Sequence, residues 1–229
     1  MSLLTDTDLE PILSDNLQEQ AGDKLVLSPF EEKCLTPVGY DLRVGKTYTV
    51  SDMGRKRKDL KQGETITLQP GTTALISTLE FVRMPKDKSI TGLIESKVSQ
   101  VSKGLSHVST TVDPDWRGNL LIAIHNHAIE AVELGYGDTF CTIVFIKNVS
   151  PSTRDCDKQP GRLDIFLDTF QDRSLKAQKI RNRKDFLPPA IVAIAGIGGY
   201  LVFGNTPGFV ASVAGGVAIS QFVERRYLR

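Results

Sequence analysis

The chain has 229 residues, room for one domain of ordinary size with appendages. Its 28 Lys and Arg against 27 Asp and Glu leave a formal net charge of +1, so the whole-molecule field argues neither for nor against a nucleic-acid partner. Three cysteines without C-x-x-C spacing fit a reducing compartment, give no support to a zinc site and exclude a zinc-dependent cytidine deaminase, which needs Pro-Cys-x-x-Cys.

In chain order, Met1-Ser2-Leu3-Leu4-Thr5-Asp6 shows no basic segment leading into an apolar one, so no cleaved leader is expected. Residues 1–30 form an N-terminal arm with one helical pattern, in which Thr5 or Asp6 caps a segment whose Leu9, Ile12 and Leu13 share a face. Over 31–150 the period changes to alternation. Runs 47–50, 65–68, 74–77, 120–124 and 139–145 are rich in β-branched and aromatic residues, and Gln69-Pro70-Gly71, Pro114-Asp115 and Gly135-Tyr136-Gly137-Asp138 separate them as turns. Many short strands at this spacing predict a mainly β domain, a sandwich or barrel. Arg55-Lys56-Arg57-Lys58 reads as a solvated hairpin tip, with phosphate contact as the alternative. Over 151–186, Pro151-Ser152-Thr153-Arg154-Asp155 and Gln159-Pro160-Gly161 read as a linker. Leu163, Phe166, Leu167, Phe170, Ala177 and Ile180 then recur at helical spacing, an amphipathic connector helix.

No charged residue occurs between 186 and 223. This run of roughly 38 residues exceeds the ~20 needed for one bilayer crossing. Gly204-Asn205-Thr206-Pro207-Gly208 interrupts it with strong turn chemistry, leaving two arms that would each rise roughly 23 to 26 Å as helices. That predicts a transmembrane hairpin over 187–223 and a basic end over 224–229; a buried hairpin of a soluble core is the alternative. Lys176, Lys179, Arg181, Arg183 and Lys184 precede the run, and Arg225, Arg226 and Arg229 follow it. The positive-inside rule then places both ends, with the soluble domain, on the cytoplasmic side of the inner membrane. Ala195/Gly199 and Ala211/Gly215 are small pairs at i and i+4 that favour close helix contact in lipid, with chance in so Ala- and Gly-rich a run as the alternative.

Four further stretches carry a family resemblance in a fixed order. They are the opening Leu4-Thr5-Asp6-Thr7-Asp8-Leu9, then Pro37-Val38-Gly39-Tyr40-Asp41-Leu42-Arg43-Val44-Gly45, then Leu68-Gln69-Pro70-Gly71 followed by residues 76–85, and Leu134-Gly135-Tyr136-Gly137-Asp138. Between the third and fourth lie Lys103-Gly104-Leu105 and Val112-Asp113-Pro114-Asp115-Trp116-Arg117-Gly118. Over residues 4–147 this set resembles the dCTP deaminase and dUTPase superfamily, closest to its deaminase branch. The resemblance implies a distorted jelly-roll β-sandwich, usually a trimer, with nucleotide sites between subunits.

Position by position, the family's Arg-Ser-Ser-Leu-Ala-Arg corresponds to Lys97-Val98-Ser99-Gln100-Val101-Ser102. Its first Arg becomes Lys97, a point charge still suited to phosphate, and its second, part of the deaminase machinery, becomes Ser102. Asp113 stands where dUTPases orient water and where both branches meet the deoxyribose, and Trp116 stands at a family aromatic, for stacking or for packing. The proton-shuttling Glu of the deaminase strand is Ala123, and the C-terminal arm of dUTPases has no counterpart. Taken with Ser102, this predicts that catalysis is lost while Lys97, Ser99, Ser102, Lys103, Asp113 and Trp116 still bind a nucleotide or oligonucleotide. No resident cofactor or metal is expected, beyond magnesium arriving with a nucleotide. His125 and His127 read as ordinary strand histidines on one face, with replacement chemistry or a base contact as the alternative. The expectation is therefore a non-enzyme: a membrane-anchored homotrimeric or larger sensor whose tail acts on the bilayer, by analogy in anti-phage defence. The alternative is a membrane-associated dCTP deaminase or dUTP pyrophosphatase.

Overall fold

The computed structural model describes residues 2–17, 24–52, 57–155 and 163–227, and within them the period-two runs become strands. In chain order these are β1 (Ser2–Leu3), β2 (Leu13–Ser14), β3 (Leu25–Ser28), β4 (Leu35–Thr36), β5 (Gly39–Val50), β6 (Lys58–Asp59) and β7 (Thr65–Leu68). Then come β8 (Thr73–Arg83), β9 (Ile90–Ser96), β10 (Leu105–His107), β11 (Thr111–Val112), β12 (Arg117–Asn126), β13 (Val132–Gly135) and β14 (Thr139–Lys147). The helices are α1 (Asp6–Leu9), α2 (Val98–Val101), α3 (Leu163–Phe203) and α4 (Pro207–Tyr227). Arg55 and Lys56 of the basic loop and the Gln159-Pro160-Gly161 turn lie outside the described residues.

The N-terminal helix is shorter than its apolar pattern suggests. Asp8 accepts hydrogen bonds from the Thr5 backbone N–H at 3.0 Å and from its hydroxyl at 2.8 Å, which fixes the first turn. Pro11 then lacks the N–H that a second turn needs and would press on the preceding turn. Leu9 is fully buried, but Leu13 belongs to β2, parallel to β3.

The main sheet runs β10-β12-β8-β5-β14-β9-β11, and β5 lies in both layers of the sandwich. Its first half pairs with β14 (Leu42 opposite Cys141) and its second half with β8 (Tyr48 opposite Ile76), the register shifting between Val44 and Tyr48. Gly45 sits in that shift against the Thr78 carbonyl, where a Cβ has no room. One buried cluster, with Leu42, Val44, Ile76, Ile94, Ile122, Phe140 and Phe145 among its members, fills the space between the layers. Each such side chain contributes about 1.5 to 3 kcal/mol by leaving water. Arg43 is the polar pin: its Nε donates to Glu80 Oε1 at 2.6 Å, Nη2 to the Pro29 carbonyl at 2.6 Å, and its backbone N–H to Glu80 Oε2 at 2.9 Å. This is a mainly β, distorted jelly-roll sandwich with a C-terminal helical region.

The chain divides into two compact units, 1–171 and 172–229. In the second, α3 passes through Pro188 and Pro189 and ends at Gly204, whose φ of 61° suits glycine. The Thr206 hydroxyl caps the Phe203 carbonyl at 2.8 Å, and Pro207 opens α4. The two helices run antiparallel, Gly199 against Ser212 and Gly216 against Ala195.

Candidate functional site

Two parts of the first unit carry the expected site residues. At the end of β9, Lys97 is extended and α2 makes a single turn, after which Gly104 (φ 85°) reverses the chain into β10. Ala128 packs so close to Gly104 that a side chain would collide with it. The Lys97 ammonium pairs with Asp41 of β5, whose other oxygen accepts from the Thr142 hydroxyl at 2.6 Å. Lys97 is thus a positioned cation. Ser99, Ser102 and Lys103 are exposed around it, and the Ser102 hydroxyl donates to the Ser99 carbonyl at 3.1 Å.

Beneath this turn Gln100 is buried. Its Nε2 donates to the Thr139 carbonyl at 2.8 Å, which fixes the amide and leaves Oε1 buried without a hydrogen-bond partner. A small pocket opens here, lined by Ser96, Lys97, Gln100, Ser106 and His107 above apolar Phe140. His107 Nε2 donates to the Ile94 carbonyl at 3.1 Å, so in the neutral ring Nδ1 accepts from the Ser96 hydroxyl at 2.7 Å. The sequence analysis does not single out Asp41, Gln100 and His107, which the structure places beside Lys97 and the pocket. Only Gln100 gave a signal, a polar residue where the family pattern has Leu.

The second part is the turn between β11 and β12. Half-buried Asp113 accepts the Trp116 backbone N–H on its carbonyl at 3.0 Å. Trp116 donates its indole N–H to the Gly118 carbonyl at 3.0 Å and lays its ring on the core. Its polar handle is therefore committed to the turn, as a packing role requires. Lys88 braces the turn from outside, 4.0 Å from Asp115 and 2.5 Å from Asp155.

These two parts do not meet within one chain. Val112 pairs with Gly92 and Thr111 with Leu93, so Asp113 falls at the start of β9 while Lys97 follows its end. Six residues of strand separate those positions, roughly 20 Å at about 3.3 Å each.

β12 alternates strictly, with Ile122, Ile124 and Asn126 buried and Leu121, Ala123 and His125 on the outer face. Ala123 lies opposite Leu75. His125 Nδ1 and the Thr73 hydroxyl share a hydrogen bond of 2.8 Å, as do His127 Nε2 and the Ser106 hydroxyl, and the two rings are 4.2 Å apart. Burial, then the neighbouring His127, hold the His125 pKa below its usual 6.5. Among the described residues no three His, Cys, Asp or Glu side chains converge on a common metal position.

A family model described as dCTP deaminase-like matches residues 12–148. The dCTP deaminase of Thermococcus kodakarensis is 39% identical over 129 residues, covering 56% of this chain and 80% of that protein. The protein of Methanopyrus kandleri named dCTP deaminase, dUMP-forming, is 29% identical over 182 residues, covering 71% of this chain and 90% of that protein. Among solved structures, the 2′-deoxycytidine 5′-triphosphate deaminase of Agrobacterium tumefaciens superposes with a TM-score of 0.49 at 16% identity, covering 62% of this chain and 48% of that one. These relatives bear enzyme names and overturn the expectation of a non-enzyme. That expectation gave two missing side chains, a Glu replaced by Ala123 and an Arg replaced by Ser102, too much weight. A proton carrier contributes some 10² to 10⁴-fold, against total accelerations of about 10⁶ to 10¹⁷.

Proposed function

Because the chain belongs to the dCTP deaminase-like family, we propose that it is an enzyme acting on a pyrimidine deoxynucleoside triphosphate, in sites shared between copies of a homotrimer. The observation that carries this reading is the separation of Lys97 from Asp113 along β9. One nucleotide cannot touch both ends of that strand in one chain, whereas two copies can present one end each. A second feature favours association: Leu75, Leu79, Phe81 and Leu121 make a half-exposed apolar outer face of β8 and β12.

In this reading Lys97, Ser99, Ser102 and Lys103 of one copy hold the phosphates, Lys97 exchanging Asp41 for the anion. Asp113 of the neighbour meets the deoxyribose and orients a water toward the phosphate chain, in a turn that Trp116 stiffens. Hydrolysis at the phosphates is the favoured reaction. It needs a carboxylate to orient water, which Asp113 supplies, whereas base deamination needs a proton carrier where Ala123 has a methyl group.

The test is turnover of dUTP and dCTP by the full-length protein in mild detergent, with products separated by chromatography. The expected result is nucleoside monophosphate and pyrophosphate, lost in Asp113→Asn. Uracil nucleotide from dCTP without pyrophosphate would assign deamination instead, and no turnover of either substrate would sink the enzyme reading.

A further inference from the structure

We infer that the hairpin of α3 and α4 is seated in an anionic lipid bilayer, its turn at Gly204 to Thr206 crossing to the far side and its charged ends remaining at the near surface. This inference does not rest on the nucleotide site. Three independent observations carry it.

The first is all-round exposure of apolar side chains. Phe186 is 75% exposed, Ile194 71%, Leu201 78%, Val202 73%, Val210 66% and Phe222 63%. These residues are not confined to one stripe of a helix, so no single protein surface could cover them all. A solvent that surrounds the pair can. The stretch Phe186–Phe203 is long and apolar enough to cross a membrane. Its 18 residues rise roughly 27 Å, close to a hydrocarbon core of ~30 Å.

The second is what the helices do where they touch. Gly199 takes Ser212 and Gly216 takes Ala195 at distances no larger residue could permit. Ser212 Oγ reaches the Phe209 carbonyl at 2.8 Å and the Ala195 carbonyl at 3.3 Å. Small residues at the seam with a satisfied hydroxyl are the means by which helices associate in lipid, where burial of apolar surface gives no drive. Both prolines sit in the first turn of the apolar stretch. The carbonyls they deprive of partners belong to Lys184 and Asp185, at the watery end where solvent can satisfy them.

The third is charge. Lys176, Lys179, Arg181, Arg183 and Lys184 precede the apolar run, and Arg225, Arg226 and Arg229 close the chain. The antiparallel helices bring the start of the apolar run and the end of α4 to one side, and no charged residue lies at the turn. That complementarity selects anionic headgroups.

The experiment uses full-length protein exchanged from mild detergent into vesicles, either of phosphatidylcholine alone or with added phosphatidylglycerol. Flotation with both, tighter on the anionic vesicles at low salt, and retention through an alkaline carbonate wash are expected. Release by carbonate, or a lipid-free soluble oligomer that ignores vesicles, would overturn the inference. Ile194→Asp places a charge mid-helix and should shift most of the protein out of the floating fraction, while Ile194→Val leaves it there. Fluorescence of Trp116, the chain's single tryptophan, reports whether each variant keeps its β domain. An Ile194→Asp protein that floats as the parent does, with unchanged fluorescence, would also refute it.

Discussion

A mixture of two crippled subunits tests the shared site directly. Lys97→Ala removes a cation from the phosphate end and Asp113→Asn a carboxylate from the sugar end, and a charge-assisted contact is typically worth ~1.5 to 3 kcal/mol. Each homogeneous variant should therefore lose roughly ten- to 150-fold in kcat/KM. If one nucleotide meets both groups, as proposed, the roughly 20 Å of strand between them means that Lys97 of one copy serves Asp113 of another. In a trimer assembled at random from equal amounts of both variants, about one quarter of sites would then hold both native residues. Co-expression with two different affinity tags and sequential purification isolates the hybrids; dUTP turnover is the assay. Hybrids should recover a substantial fraction of parental activity, far above either variant alone. Hybrids no more active than their parents would refute the reasoning and put the site inside one chain. Loss of the Lys97 partner also leaves Asp41 with the Thr142 hydroxyl as its side-chain partner among the described residues, so Trp116 fluorescence must show that Lys97→Ala folds.

Gly45→Ala forces a Cβ onto the Thr78 carbonyl where β5 changes layers, and should lower unfolding stability by about 1 to 3 kcal/mol or more in urea titrations. Glu80→Gln removes the fully buried carboxylate that faces Arg43, whose Nη1 keeps only half-exposed Glu31 at 2.7 Å, and should cost about 1 to 3 kcal/mol, read in the same titrations. The His125 pKa lies below 6.5 in the fold, so as pH falls the unfolded chain takes up a proton before the native one. Stability should therefore be full above 6.5 and decline below it; His125→Asn should flatten that slope in thermal melts across pH.

The strands were legible because alternation is a local signal. Residues 65–68 form β7 as read, with Ile66 and Leu68 in the core, and 139–145 fall within β14, where Cys141, Ile143 and Phe145 alternate into the core after a register shift beside buried Phe140. The N-terminal helix was over-read because Leu9, Ile12 and Leu13 keep helical spacing across Pro11, and periodicity does not register a missing N–H. Lys97 and Asp113 stood out by residue type, yet their distance was invisible. It depends on which end of β9 each adjoins, a matter of sheet register that no local pattern encodes. Asp41 was hidden for the same reason: 56 positions before Lys97, it meets that residue only once β5 and β9 flank β14.

Ala123 shows how a correct residue-level observation led to a wrong functional conclusion. The methyl group is on the outer face of β12, as the alternation requires, and it cannot shuttle a proton. From there to inactivity is a step in magnitude. One absent general acid or base removes a few kcal/mol of transition-state stabilisation. Positioning of two reactants can supply about 7 to 11 kcal/mol, and the proposed site keeps candidate groups for it at both ends of β9. The lost group also belongs to one branch of the chemistry alone. A proton carrier at the base matters for deamination, while in the proposed site water attack on a phosphate would draw on Asp113 and the cations around α2. The substitution therefore bears on which bond is broken more than on whether any is, and the product analysis of dCTP against dUTP reads that difference directly.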